Sequence, residues 1–200
     1  MPRVIVPNFS YFTSLKGKPT GIEFIDSTCI KVFHNIRIPR YKNFDGIALR
    51  GKDTMGWFYG FKLHLIVNYH GEIVAAKVTI GNVHDTKLVE KSAQGLTDKL
   101  YGDKGYLSKA LAANLFEEGV TLRTTVRAIS LCDGAMLSSR FIIETINDQL
   151  KNISYIEHSR RRCMNCFMLS LLDGLVAYYL KENKPIRSLI DEELNAMVTF

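Results

Sequence analysis

Three carboxylates in this chain sit where divalent-metal phosphoryl-transfer chemistry would need them: Asp26, Asp103 and Glu144. Asp26 ends an apolar run at 21–26, and Asp103 ends a second at 99–103. Glu144 lies midway along a predicted helix, between Arg140 and Lys151. If the two runs are neighbouring strands, their carboxylates share one end of one sheet. Like charges that close raise each other's pKa and cannot all ionise unaided. A pair of divalent cations removes the conflict and clamps the attacking and leaving oxygens of an in-line displacement.

The helix around Glu144 can be read by its face. With Glu144 set at zero and about 100° per residue, Arg140 falls at about −40°, Lys151 at about −20°, Asn147 at about −60° and Asp148 at about +40°. Ile142, Ile146, Leu150 and Ile153 fall on the opposite side. One face therefore packs on a sheet, and the other carries Arg, Glu and Lys in a column. Alone, that column would be ordinary i,i+4 pairing. Beside Asp26 and Asp103 it reads as a metal ligand between two phosphate-binding cations, with Asp148 as the rival ligand. Competing chemistries lack their signatures: no G-x-x-x-x-G-K-S/T, no strand-following G-x-G-x-x-G, no G-x-S-x-G and no H-E-x-x-H. His84-Asp85 reads as a helix start, and His64 as an ordinary strand residue beside Lys62. Trp57, Phe58 and Tyr59 either stack on bases or pack at a strand edge.

The elements that must position these residues follow from pattern. Residues 1–20 read as an irregular lead-in with three prolines, and 21–33 as the first strand. Residues 35–57, Gly- and Arg/Lys-rich, read as a long arm. Alternating Phe61, Leu63, Leu65 and Val67 predict a strand at 58–68, and a turn at Asn68-Tyr69-His70-Gly71 leads to another at 72–80. A helix at 85–95 and a strand at 99–103 follow. Ser108 caps a helix at 109–118 closed by Gly119, with a strand at 120–126. A loop at 128–137 leads to helices at 138–152 and 163–182, and to a weak one near 188–196. The strand–helix–strand step at 99–126 requires a parallel, right-handed crossover beside an antiparallel hairpin. That is the pattern of an α/β ribonuclease-H-like fold with a mixed five-stranded sheet flanked by helices, in which the first and fourth strands are neighbours.

Two hundred residues make one domain, placed at 21–185 with a tail at 186–200. The charge of +6 and pI of about 9.1 suit a polyanionic partner. Arg37, Arg40, Lys42, Arg50 and Lys52 form one basic patch, and Arg160, Arg161 and Arg162 with Lys151 another. Two such patches flanking candidate metal ligands favour nucleic acid. Four cysteines make no disulfide framework in a chain this size, so Cys163-x-x-Cys166 reads as packed thiols in a reducing cytoplasm. The apolar stretch 167–180 is short for a membrane span and reads as a buried helix.

Phe24-Ile25-Asp26-Ser27-Thr28, Tyr101-Gly102-Asp103-Lys104-Gly105-Tyr106, Arg140-x₃-Glu144-x₆-Lys151, Gly81-Asn82-Val83-His84-Asp85 and Gly56-Trp57-Phe58-Tyr59-Gly60-Phe61-Lys62-Leu63-His64 stand in order along the chain. Together they resemble the motifs of bacterial insertion-sequence transposases of the DDE class, in particular the insertion-sequence-982 type. The resemblance implies a catalytic domain that binds two Mg²⁺ ions, with Mn²⁺ able to substitute. It implies cleavage of insertion-sequence ends and joining of the freed 3′ hydroxyl to target DNA, by a homo-oligomer assembled on DNA in the bacterial cytoplasm, at the nucleoid and away from membranes. Carried over by position, Asp26, Asp103 and Glu144 are the metal-binding triad, and Arg140 and Lys151 contact phosphates. Leu137 stands where some relatives carry Tyr. Relatives also begin with a further helical DNA-binding region and carry a basic segment near 126–133, so a shortened copy is the expectation here. Two other readings stay open: a catalytically dead DNA-binding remnant that inhibits transposition, and a structure-selective metal nuclease.

Overall fold

A computed structural model describes residues 2–40, 42–53, 56–124, 131–157 and 163–186. The β-branched and aromatic run after Gly21 forms β1 (Ile22–Lys31). After two short 3-10 turns come β2 (Leu49–Asp53), the long β3 (Gly56–Asn68) and β4 (Ile73–Ile80). β5 (Asp98–Tyr101) and β6 (Val120–Arg123) complete the sheet. β3 pairs antiparallel with β1 along one edge and with β4 along the other, while β5 runs parallel to both β1 and β6. The side-by-side order β4-β3-β1-β5-β6 is ribonuclease-H-like, with β1 and β5 as neighbours. β2 pairs with residues Gly56 to Gly60 of β3, so the described sheet has six strands rather than five.

Strand alternation sends Ile22, Phe24 and Ile30 of β1 to one face and Ile25 to the other. The first face is covered by α1 (Pro2–Leu15), α5 (Phe141–Asn152) and α6 (Met164–Tyr179). The second is covered by α2 (Val89–Ala93) and α3 (Lys109–Glu117). The crossover from β5 to β6 through α3 is built as its sequence implies: Ser108 Oγ accepts from Leu111 N, and Gly119 at φ +83° follows the last turn. Phe167, Leu171, Leu172, Leu175 and Tyr178 bury α6 in the core. Among the described residues no helix is long and apolar enough to cross a membrane.

Three expectations need correction. The stretch 1–20 is not irregular: α1 occupies most of it, with Pro7 inside the helix. Tertiary packing holds it, because Phe12 is buried edge-on to Tyr179 of α6 at 5.7 Å and Asn8 Nδ2 donates to Asp173 at 2.9 Å. The arm at 35–57 is not all loop, since it carries β2 and two 3-10 turns, Asn35–Arg40 and Lys42–Phe44. Phe44 anchors it by burying its ring near Phe33, Phe61 and Phe167. The loop at 128–137 contains α4 (Leu131–Ser138), where Asp133 is buried and accepts from the Tyr101 hydroxyl at 2.9 Å. The weak helix near 188–196 lies outside the described residues.

Candidate active site

Asp26 is not at a sheet end but midway along β1, opposite Leu65 of β3. It shares the parity of Phe24 and Ile30 and so faces α5. The β1–β5 register pairs Ile22 with Lys99, Glu23 with Leu100 and Phe24 with Tyr101. The same offset carried two residues further sets Asp103 level with Asp26. β5 has ended by then, and Asp103 instead caps the 3-10 turn Lys104–Tyr106, with its Oδ1 accepting from Lys104 N at 2.6 Å.

Two residues of the α5 segment tie the three carboxylates together. Arg140, at the N-terminus of α5, donates from Nη1 to Asp103 Oδ1 and from Nη2 to Glu144 Oε1, each at 3.3 Å. Asn147 donates from Nδ2 to Asp26 Oδ2 at 2.9 Å. Asp26 is half-buried while Asp103 and Glu144 are largely exposed, so the three differ in electrostatics. Burial pushes the Asp26 carboxyl up from 3.8 to about 6, and the Glu144 charge adds to the rise. The Ser27 backbone N–H, the Arg140 guanidinium and the Asn147 amide oppose it. Among the described residues Asn147 Oδ1 and Arg140 Nε are buried without a hydrogen-bond partner.

The donor chemistry suits a hard divalent cation: three carboxylates, with the unpartnered Asn147 oxygen beside Asp26. A half-buried carboxylate with a raised pKa is also one that a cation would return to its ionised form. Among the described residues no group of three His, Cys, Asp or Glu side chains converges closely enough to hold an ion as it stands. In this structure the Arg140 guanidinium supplies the positive charge between Asp103 and Glu144. The donor types fit a hard divalent cation, and their spacing in this structure does not yet bring them around one point.

The other predicted residues are dispersed. Lys151, in the last turn of α5, pairs with Glu157 at 3.5 Å. Asp148 is exposed, and its neighbour Asn147 takes the place beside Asp26. Arg37 lies on the first 3-10 turn of the arm, and Arg50 and Lys52 are exposed on β2. The side chains of Arg40 and Lys42, and all of Arg160, Arg161 and Arg162, lie outside the described residues.

Sequence reasoning passed over two features. Asn147 was on the correct side of the helix in the angular reading, but its type gave no chemical signal. On the opposite face of the sheet, Lys62 Nζ donates to Asp85 Oδ1 at 3.0 Å and His64 Nε2 meets Thr79 Oγ1 at 2.9 Å. His64 Nδ1 lies 3.9 Å from the same Asp85 oxygen, and burial pushes the imidazole pKa down to about 4. The expected helix start at His84 is present: its Nδ1 faces Thr86 N at 3.4 Å and caps the 3-10 turn Asp85–Leu88. Cys163 likewise caps α6, its Sγ accepting from Cys166 N at 3.4 Å.

Residues 16–164 match the family model described as Transposase DDE domain. No curated protein matches the chain. Among solved structures, the chain is similar to the piggyBac transposase in its synaptic complex with hairpin DNA, with a TM-score of 0.42 and 16% identity over 60% of this chain and 26% of that one. It is also similar to a chain of the simian T-cell lymphotropic virus intasome in complex with PP2A regulatory subunit B56 gamma, with a TM-score of 0.46 and 14% identity over 88% of this chain and 60% of that one. The chain thus spans about a quarter of the first structure and less than two thirds of the second. The family match covers about three quarters of the sequence and contains Asp26, Asp103 and Glu144: this chain belongs to the DDE-domain transposases.

Proposed function

We propose that this transposase domain cuts DNA at insertion-sequence ends and joins the freed 3′ hydroxyl to target DNA, in the manner of the bacterial insertion-sequence-982 type. Asp26, Asp103 and Glu144 would hold the divalent cations, Mg²⁺ or Mn²⁺. The observation that carries this reading is the linkage of all three carboxylates through Arg140 and Asn147 on one face of the sheet. Bound there, a pair of cations would activate the attacking oxygen and neutralise charge on the leaving one.

The chain's own residues supply the rest. Asn147 fixes the rotamer of Asp26, so that the half-buried carboxylate presents its oxygens toward the α5 face. Packing of Ile142, Ile143, Ile146 and Leu150 against the core holds α5, and with it Glu144, against the sheet. That rigidity matters because a misplacement of about 1 Å can cost on the order of a hundredfold in rate. Arg140, released from Asp103 and Glu144, presents two parallel N–H donors that suit a backbone phosphate. Arg37, Arg50 and Lys52 add sequence-independent attraction to DNA, which weakens steeply with salt.

Incubating the purified chain with insertion-sequence-end and scrambled duplexes at matched salt tests the proposal. Strand-transfer products confined to the end sequence support it. Cleavage with no end preference would identify a structure-selective nuclease instead. Binding with no cleavage of either duplex in Mg²⁺ or Mn²⁺ would identify a DNA-binding protein without catalysis.

A further inference from the structure

Trp57 is the chain's only tryptophan, and 65% of its surface is exposed at the start of β3. A large aromatic ring left in water at a strand end calls for an explanation, since Phe58 and Tyr59 beside it are buried. The hairpin register pairs Trp57 with Lys52 and Tyr59 with Arg50. Cross-strand partners lie on the same face of a sheet, so the ring shares its face with two exposed cations. Tyr59 packs in the core cluster that contains Phe24 and the α5 isoleucines. Trp57 therefore stands on the Asp26 side of the sheet, not on the Asp85 side. From below, Asn35 Nδ2 donates to the Trp57 carbonyl at 2.7 Å and ties the first 3-10 turn, with Arg37, to the same corner.

An exposed aromatic ring flanked by cations suits unpaired nucleic acid better than a protein. Every base offers a stacking face, and the neighbouring cations take the phosphates. Protein interfaces also favour Trp and Arg but are depleted in lysine, and here Lys52 is the residue directly opposite the ring. We infer that Trp57, with Arg50 and Lys52, is a base-stacking platform for single-stranded DNA on the same face as the active site. Trp57 precedes Leu65, the partner of Asp26, by eight residues along β3. At about 3.3 Å per residue that places the platform about 26 Å from Asp26, under one helical turn of duplex. A strand leaving the cleavage point can thus be held there with its bases unpaired. The inference rests on the DNA-processing role proposed above.

The single tryptophan makes the test direct. Titrating the full chain with a labelled oligothymidylate, while following both label anisotropy and tryptophan emission, reads binding and stacking separately. The expected result is quenching of emission that saturates with the anisotropy change. Trp57→Ala should weaken single-strand binding by about 5- to 150-fold, the usual range for loss of one stacked base. Trp57→Phe should recover most of it, and both variants should keep the parent melting temperature because the ring is exposed. Duplex affinity should change less than single-strand affinity. Binding without quenching, or an unchanged affinity in Trp57→Ala, would overturn the platform and leave the proposed function standing. Absence of DNA binding altogether would overturn that function, and the platform with it.

Discussion

Replacing Asp26 by Asn should make the protein more stable and less active. The carboxyl is pushed up from 3.8 to about 6, chiefly because it is enclosed. A group whose folded pKa exceeds its unfolded value stabilises the fold fully below about pH 3.8 and loses that contribution as pH rises through about 6. At pH 7 the parent therefore carries an ionised carboxylate that costs up to about 3 kcal/mol. Asparagine has no charge to desolvate, and its side-chain oxygen can still accept from Asn147. A gain of about 1–3 kcal/mol is expected, several degrees in melting temperature for a chain of this length. Urea unfolding of parent and variant in EDTA at pH 7 measures it, and repetition near pH 4 provides the control, because there the parent carboxyl is protonated and the gap should close. Added Mg²⁺ should then stabilise the parent and not the variant. A variant less stable than the parent at pH 7, or a gap unchanged near pH 4, would refute the electrostatic reasoning. Such a trade of stability for activity is common where a functional site demands a buried charge.

His64 should act in the opposite sense. Its pKa falls from 6.5 to about 4 on burial, so its contribution is intact above about pH 6.5 and is lost as pH falls toward 4, by up to about 3 kcal/mol. His64→Gln, which cannot protonate, should flatten the acid limb of the stability–pH curve; an unchanged limb would mean that His64 is not buried neutral. Gly51→Ala should destabilise the β2–β3 hairpin by about 2 kcal/mol or more, because an added Cβ would overlap the Gly81 carbonyl oxygen and come within 2.6 Å of the buried Phe58 ring. Denaturant titration checks this, and a neutral result would mean that β2 does not lie against Gly81. Asn147→Ala should lower DNA cleavage by about 10-fold or more through misorientation of Asp26, with substrate binding in anisotropy little changed; parental cleavage rates would remove Asn147 from the site.

Much of the site was legible because strand order and register are strongly specified by apolar pattern. The alternation in Phe61, Leu63, Leu65 and Val67 and the strand–helix–strand step at 99–126 were enough to make β1 and β5 neighbours, and so to bring Asp26 and Asp103 to one level of the sheet. The helix arithmetic set Ile142, Ile146 and Leu150 inward and Glu144 outward, as found; Ile153 lies past the end of α5 and is exposed. What failed was what tertiary contacts decide. The prolines and polar residues of 1–20 concealed an α-helix held by Phe12 against Tyr179. The Gly- and Lys-rich composition of the arm concealed a strand that pairs with β3. The turning of Asn147 toward Asp26, and the pairing of Lys151 with Glu157 in place of an unengaged cation, depend on side-chain geometry that spacing alone does not fix.

Metal-dependent cleavage by the parent and by Asp103→Asn tests the central claim most directly. The substitution keeps the shape of the side chain, leaves an oxygen to cap the 3-10 turn at Lys104, and removes the charge. With a duplex bound equally by both proteins in anisotropy, the parent should cleave in Mg²⁺ or Mn²⁺ to give 3′ hydroxyl ends, and the variant should be slower by about 100-fold or more while melting at the parent temperature. Equal cleavage by the two proteins, or no cleavage by a DNA-bound parent in either metal, would contradict the assignment of Asp26, Asp103 and Glu144 as a phosphoryl-transfer site.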